Sequence, residues 1–369
     1  MKRALIVGMG VSGKAARELL LRKGYEVVGV DDREPYSVDP DAFDEVIVSP
    51  GVPPTHPLYV PTAIGEMTLA CRYLNGRALA ITGTNGKTTV TLLVEHILNS
   101  CGIPALACGN VGTPLSAVVD DLGGRVAVVE LSSYQLETMS RPVFDAGVIL
   151  NIREDHLDRY RTQEAYAAAK LRLQWLVRGD FYGPGGLTAD LLEGILPEAY
   201  KGIDRSNAQA AYLLCKTYGV TPAAFVAALA TYKRPPHRRE WVAEVGGVTF
   251  INDSKGTTPD AVVAAVELLE GPIWLIAGGQ NKGLSFKEWA SFAGKVERLL
   301  LIGEAAREIG EAVGGVLEVE QCGTLERAVD RCREAKGTVL LSPGCASFDQ
   351  FADYRVRGEA FRELVGRLQ

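Results

Sequence analysis

The chain has no run approaching the roughly 20 consecutive apolar residues that span a bilayer, so no membrane insertion is expected. Its opening, Lys2-Arg3 followed by Ala4-Leu5-Ile6-Val7, imitates a signal peptide. The apolar run stops at Gly8 and a glycine pattern follows, which reads as a first strand instead. Basic residues are in the minority: 39 Lys and Arg stand against 45 Asp and Glu, for a net charge of −6. A general binder of nucleic acid or of anionic membrane needs a basic footprint, so both are excluded. A local basic pocket for a small anion is not. Cysteine is sparse and scattered. Cys71, Cys101, Cys108, Cys215, Cys322, Cys332 and Cys345 form no Cys-x-x-Cys pair, and an odd count does not suit a disulfide frame or a zinc site. They read as reduced, buried thiols, which makes the cytoplasm the expected location. Short-period repeats and low-complexity tracts are also missing.

At 369 residues the chain is long enough for two or three domains. Hydrophobic residues make up 47% and charged residues 23%, ordinary for a globular protein. The pattern reads as three α/β units. In the first, a strand over 4–7 is followed by a glycine turn over 8–13, a helix over 14–23 and a strand over 26–30. A further strand over 46–48 ends in Ser49-Pro50-Gly51, and the first boundary falls near Asn75-Gly76. The second unit has strands over 78–82, 126–129 and 146–150, with helices over 87–99 and 163–178. Residues 180–202 carry a weak pattern, with a loop at Gly183-Pro184-Gly185-Gly186. A helix pair over 207–218 and 222–232 leads to Pro235-Pro236, a stiff linker. The third unit has strands over 248–252, 273–277, 299–302 and 339–342 alternating with helices, which implies a parallel sheet. The expected domains are 1–75, 76–235 and 236–369.

The strongest local signal is Gly83-Thr84-Asn85-Gly86-Lys87-Thr88-Thr89, between a strand and a helix. Glycines let backbone N–H groups turn toward phosphate oxygens, Lys87 bridges terminal phosphates, and Thr88 offers a hydroxyl to Mg²⁺. The spacing departs from G-x-x-x-x-G-K-[ST], since the first glycine is three residues before Gly86. The plain alternative is a glycine-rich turn. Gly8-Met9-Gly10-Val11-Ser12-Gly13 matches G-x-G-x-x-G, with Asp31 and Asp32 where a ribose-binding acid would sit. That pattern suits NAD, but a helix N-terminus receives any diphosphate, a UDP group included. Glu130 and the run Asn151-Ile152-Arg153-Glu154-Asp155-His156 follow apolar strands, at the carboxyl edge where open sheets bind ligands. Glu130 and His156 near phosphates suit a divalent ion. A helix-terminal acid and a capping or surface histidine are the simpler readings. Lys170, inside Tyr166-Ala167-Ala168-Ala169-Lys170-Leu171-Arg172, reads on composition as a solvated helix lysine.

Together these segments resemble the Mur ligases, in chain order and over most of the sequence. The resemblance adds Glu130-Leu131-Ser132-Ser133-Tyr134-Gln135-Leu136-Glu137, Pro236-His237-Arg238, Asn252-Asp253-Ser254-Lys255 and Ser342-Pro343-Gly344-Cys345-Ala346-Ser347-Phe348-Asp349-Gln350-Phe351. The Glu130 and Ser342 segments, with Ser49-Pro50-Gly51 and His56-Pro57, are most similar to the D-glutamate-adding members. The resemblance implies a Rossmann-like N-terminal domain, a P-loop ATPase-like central domain and a Rossmann-like C-terminal domain. It implies ATP bound by Gly83, Thr84, Asn85, Gly86, Lys87, Thr88, Thr89, Asn207, His237, Arg238 and Asp253. It implies two Mg²⁺ ions held by Thr88, Glu130, His156 and a carbamylated Lys170. The UDP-N-acetylmuramoyl-L-alanine substrate falls to Gly10, Val11, Ser12, Asp31, Asp32, Ser49, Pro50, Gly51, Gly109 and Asn110. D-glutamate falls to Lys255, Thr257, Lys282, Ser347 and Phe348, and the catalytic set is Lys87, Lys170, His156 and Arg238. A monomer is expected. Two departures bear on the adenine contacts: Ile203-Asp204 stands where such enzymes have a His-Asn pair, and 180–202 is shortened.

The implied reaction moves the ATP γ-phosphoryl to a carboxylate, and an amine then displaces phosphate from the acyl phosphate. Catalysis of that kind is positioning and charge stabilisation, with no serine or cysteine nucleophile. The rivals are a folylpolyglutamate-type ligase, which has no need of the first glycine unit, and a dinucleotide oxidoreductase, which leaves residues 83–89 unexplained. A protein that binds ATP without turnover is a third.

Overall fold

In a computed structural model the described residues form fifteen strands in three sheets. It describes every residue except Glu34, 185–191, Ala199 and Gln369, and at Leu157 and Asp158 the backbone alone. The first sheet holds β1 (Arg3–Val7), β2 (Glu26–Val30), β3 (Glu45–Val48) and β4 (Ile64–Gly65), in the order β2-β1-β3-β4. The second holds β5 (Ala78–Thr82), β6 (Ala105–Gly109), β7 (Val126–Glu130), β8 (Phe144–Ile149) and β9 (Val177–Tyr182), in the order β6-β7-β5-β8-β9. The third holds β10 (Glu240–Val245), β11 (Val248–Asn252), β12 (Ile273–Gly278), β13 (Val296–Ile302), β14 (Val319–Gly323) and β15 (Thr338–Leu341), ordered β10-β11-β15-β12-β13-β14. All pairings are parallel except β10 with β11.

The central strands are buried on both faces, which is why they read as unbroken apolar runs rather than alternating ones. Every residue of β5, β7 and β12 is buried. Helices follow the strands as crossovers, and three of them matter for the sites: α1 (Val11–Arg22), α2 (Glu66–Tyr73) and α3 (Lys87–Ser100).

The chain divides into two compact units. One comprises residues 1–152, 162–200 and 204–232 and carries the first two sheets; the other comprises 153–161, 201–203 and 233–369 and carries the third. Within the first unit, polar ties cross the boundary expected near residue 75. Lys23 Nζ and Arg22 Nε reach Asp120 at 2.6 and 3.2 Å. The Ser116 N–H donates to buried Glu66 Oε1 on α2 at 3.1 Å.

Two sequence expectations change. The helix expected over 163–178 ends at Leu171, a short 3₁₀ segment follows, and β9 begins at Val177. Among the described residues β9 pairs only with β8 and is half exposed, so its side chains include Arg178 and Asp180 and lack the apolar signature of an inner strand. β4, β6, β10 and β14 are further strands beyond those the sequence pattern predicts. Of the loop expected at 183–186, Gly185 and Gly186 lie outside the described residues.

Candidate active site

A cleft of about 540 Å³ opens where β1, β2 and β3 end, and it takes in the loop after β6. Its lining includes Gly10, Val11, Ser12, Asp31, Ser49, Pro50, Gly51, Gly109 and Asn110 from the expected set, and adds Arg33 and Gln135. Gly13 lets α1 pack onto the turn: a Cβ there would lie 2.0 Å from the Gly8 carbonyl oxygen. Ser49 Oγ donates to that same oxygen at 2.6 Å. Gly10 caps α1 without a side-chain hydrogen bond, so the positive end of a 12-residue helix faces the cleft.

Asp31 does not stand free for a ribose. Its Oδ2 accepts the Met9 N–H at 2.9 Å, and Arg33 Nε donates to Oδ1 at 2.7 Å. The Arg33 hydrogen bond, then the Met9 amide, hold its carboxyl well below the usual range. Asp31 therefore braces the glycine turn and holds Arg33 where it lines the cleft. Asp32 is absent from the lining; its Oδ1 faces His56 Nε2 at 3.0 Å and the Tyr36 hydroxyl at 3.1 Å. An arginine beside a helix N-terminus favours an anionic ligand.

In the second sheet, the loop from β5 to α3 is fixed from the loop after β8. Thr84 N–H donates to Asn151 O at 2.9 Å, and Asn85 N–H to Asn151 Oδ1 at 2.8 Å. Gly86 caps α3 with φ of 84°, and a Cβ there would lie 2.6 Å from Asn207 Oδ1. That contact puts buried Asn207 against the loop. Lys87 Nζ donates to Gly83 O at 2.8 Å and to Thr84 O at 2.7 Å. Thr88 is buried and Thr89 half-buried on the first turn of α3.

The reading of Lys170 as a solvated helix lysine is overturned. It is 1% exposed, its Nζ donates to Gly83 O at 2.8 Å, and it lies 4.7 Å from the centre of the Tyr166 ring. The helix Gln163–Leu171 turns this face inward, which its alanine-rich composition concealed.

Glu130 ends β7, buried, opposite Gly109 in register. Its Oε1 accepts from Asn110 Nδ2 at 2.8 Å, while among the described residues its Oε2 has no hydrogen-bond partner. A buried, unpaired carboxylate oxygen costs roughly 1–3 kcal/mol or more unless something meets it. No three of His, Cys, Asp and Glu converge among the described residues. Mg²⁺ takes few protein ligands and completes its shell with phosphate and water. The Glu130 oxygen and the Thr88 hydroxyl fit that demand. His156 belongs to the segment 153–161 of the other unit. Its N–H donates to Asp155 Oδ1 at 2.9 Å, its ring Nε2 lies 3.4 Å from Asp155 Oδ2, and its carbonyl accepts from Arg159 and Tyr160.

In the second unit three neighbouring strands, β11, β15 and β12, deliver the remaining residues at their carboxyl ends. Lys255 and Thr257 follow β11, Lys282 follows β12, and Ser347 and Phe348 follow β15. Backbone bonds stitch these loops: Gly344 N–H to Gly256 O at 2.8 Å, and Gln280 and Ala346 exchanging two at 2.9 and 3.0 Å. Ser347 is buried, Lys282 half-buried and Phe348 exposed. Lys255 Nζ lies 5.2 Å from the centre of the Tyr354 ring. His237 is buried, with Asn252 Nδ2 at 3.0 Å from its Nδ1.

Asp253 accepts from Ser342 Oγ at 2.8 Å and from the Arg239 N–H at 3.1 Å. Burial pushes its carboxyl up to about 6, against the smaller opposing effects of Ser342, Arg239 and half-buried Arg238. The folded state thus binds this proton more tightly than the unfolded chain does. Its stability falls as pH rises through roughly 4 to 6, where the unfolded group is already ionised. Asp253→Asn removes that titration. The variant should be more resistant to urea above pH 6 by on the order of 2 kcal/mol, the advantage fading below pH 4. Equal stability of the two proteins at pH 8 would count against an ionised, desolvated Asp253.

Arg33, Gln135, Asn151 and Tyr166 were not assigned roles from sequence. Arg33 adjoins the Asp31-Asp32 pair, Asn151 begins the run to His156, Gln135 lies within residues 130–137 and Tyr166 stands one helical turn before Lys170, so each has a local signal in the sequence.

Comparison with known proteins gives two family matches: the Mur ligase middle domain at residues 81–179 and the Mur ligase glutamate ligase domain at 237–345. A UDP-N-acetylmuramoylalanine–D-glutamate ligase of Protochlamydia amoebophila is 40% identical, covering 100% of this chain and 98% of that protein. The alignment runs over 436 positions, more than the 369 residues present, so that relative carries internal segments this chain lacks. The ligase of the same name from Aquifex aeolicus is 34% identical, with 98% of each chain covered. Among solved structures, a pseudomurein peptide ligase type C from Methanothermus fervidus has a TM-score of 0.65 at 16% identity, each chain covered in full. The UDP-N-acetylmuramate-alanine ligase of Thermotoga maritima has 0.63 at 17%, again over both whole chains. These two show a shared fold. No helix among the described residues is long and apolar enough to cross a membrane.

Proposed function

The chain belongs to the Mur ligase family, and we propose, from that premise, how its own residues divide the work of an ATP-dependent, amide-bond-forming ligase. It adds D-glutamate to UDP-N-acetylmuramoyl-L-alanine in peptidoglycan precursor synthesis. The observation that carries the division is the Asn110–Glu130 contact at 2.8 Å. Asn110 lines the diphosphate cleft, and Glu130 ends the strand paired with β5, which feeds the phosphate loop. One hydrogen bond therefore joins the place for the UDP-sugar to the place where phosphoryl transfer is organised.

In this reading the amides at the start of α1 and Arg33 hold the diphosphate, with Ser49 and Gly51 shaping the turn beneath it. Asn110 faces the lactyl-alanine end and brings its carboxylate toward the γ-phosphoryl of ATP. The loop 83–89 wraps the phosphates, with Lys87 bridging them, and Asn207 steadies Gly86. Glu130 and Thr88 are the residues that would hold Mg²⁺; bound there, it would neutralise phosphate charge as the acyl phosphate forms. His156 and Lys170 keep the metal roles that the family resemblance gives them, as do His237, Arg238 and Asp253 their nucleotide roles. The D-glutamate amine attacks the acyl carbon, the C–N bond forms, phosphate leaves, and the amine's proton passes to solvent or a phosphate oxygen. Lys255, Thr257, Lys282, Ser347 and Phe348 hold the acceptor. The layout of Rossmann-like, P-loop-like and Rossmann-like domains, a monomeric state and a cytoplasmic setting complete the reading; seven unpaired thiols suit that setting.

Chirality is the sharp test. The amine must meet the acyl phosphate while both carboxylates stay held, and the L-isomer cannot satisfy all three contacts. Phosphate release with UDP-N-acetylmuramoyl-L-alanine and ATP should require D-glutamate, with L-glutamate, L-alanine or a diamino acid at least about 10²-fold slower. Comparable rates with any of those would refute the acceptor assignment. Phosphate release without the UDP-sugar would refute the ligase reading itself.

A further inference from the structure

Helix Tyr354–Gly366 carries a guanidinium that the chemistry above does not use. Arg357 is 1% exposed. Its Nε donates to Ser254 Oγ at 3.0 Å and its Nη2 to Ser254 O at 2.9 Å. The same Nη2 reaches Cys345 O at 3.2 Å, and Nη1 reaches Ala346 O at 3.4 Å. Ser254 Oγ in turn donates to Tyr354 O at 2.8 Å, so the hydroxyl accepts from the arginine and donates to the helix start.

These acceptors are neutral oxygens from two loops, not a carboxylate. Burying a cation whose hydrogen-bond acceptors are all neutral is expensive, and desolvation lowers its pKa to about 10, against smaller opposing effects of Cys345 and the Asp349 carboxylate. A neutral side chain would fill the space at less cost. What only a guanidinium supplies is a planar fork able to donate to several oxygens in fixed directions. The residues it fixes are telling: Ser254 immediately precedes Lys255, and Cys345-Ala346 immediately precede Ser347.

We infer that Arg357 is the positioning residue of the acceptor site, its buried fork setting the distance between the Lys255 loop and the Ser347 loop that together hold the amino-acid carboxylates. This rests on the acceptor reading given above. Lysine at this position reaches one loop at a time, so Arg357→Lys should raise the KM for D-glutamate at least about tenfold. Its kcat at saturating D-glutamate and its KM for the UDP-sugar should stay within about threefold of the parent, a split that general loosening of the fold would not give. Ser254→Ala removes one acceptor of the fork without emptying the site, and should raise the same KM about threefold or more. An unchanged D-glutamate KM in a cooperatively melting Arg357→Lys protein overturns the inference. If that variant does not fold, Ser254→Ala decides, and an unchanged KM there overturns it equally. A parent enzyme that does not use D-glutamate at all fails the functional reading instead, which is a separate result.

Discussion

Lys87→Ala should lower phosphate release by on the order of 10²-fold or more while leaving the fold and the UDP cleft intact. Removing one preorganised charge stabiliser from a phosphoryl-transfer site costs on that scale. Lys87 stands at the first position of α3, where the helix dipole and the loop amides already favour phosphate. Its ammonium folds back onto the carbonyls of Gly83 and Thr84 at 2.8 and 2.7 Å. Those are neutral acceptors, and the anionic oxygens of ATP compete well against them. The fold survives because the loop is anchored elsewhere, through Asn151 to Thr84 and Asn85. Binding of UDP, measured by calorimetry, and the urea midpoint serve as controls. Near-full turnover with both controls unchanged would mean that residues 83–89 do not hold the transferred phosphates.

The parts of this protein that were legible in its sequence are those where one local rule suffices. A buried strand, a glycine turn and a helix start follow each other at 78–89, and each is written in composition alone. The same holds for Gly8 to Gly13, where the third glycine is required by a backbone oxygen 2.0 Å from the Cβ it lacks. What stayed hidden depends on partners distant in the chain. Arg357 looks like any charged residue of a terminal helix, and only the loops 103 and 12 residues away make it a clamp. Asp31 matched a ribose-binding acid by position, yet the nearby Arg33 and the Met9 amide take its carboxylate. β9 is not legible in the sequence because an edge strand keeps polar side chains on its open face. The segment 153–161 leaves the second sheet but groups with the third, a matter of packing that no periodicity encodes.

Lys170→Ala should also lose on the order of 10²-fold or more in turnover, and for a reason that its burial makes specific. Lys170 Nζ and Lys87 Nζ each donate to the Gly83 carbonyl oxygen, both at 2.8 Å. The two amines can therefore be no further apart than the sum of those distances. Two ammonium ions about 5 Å apart repel by about 3 kcal/mol at an effective dielectric constant of 20. Lys170 is the more deeply buried of the two. A neutral amine is the form that adds carbon dioxide: its nitrogen attacks the carbon, a C–N bond forms, and a proton leaves to solvent. The product carries a negative charge beside Lys87, which converts the repulsion into attraction and supplies hard oxygens of the kind Mg²⁺ prefers. Protein exchanged into ¹³C-bicarbonate should show a carbamate carbon signal that Lys170→Ala lacks. Short carboxylates such as acetate should restore part of the activity of Lys170→Ala, because they return an anionic oxygen to the vacated space, whereas chloride at equal ionic strength should not. Full activity in the alanine variant would remove Lys170 from the catalytic set. A loss of activity that no carboxylate relieves, with no carbamate signal in the parent, would leave it as a structural amine that holds Gly83 in place.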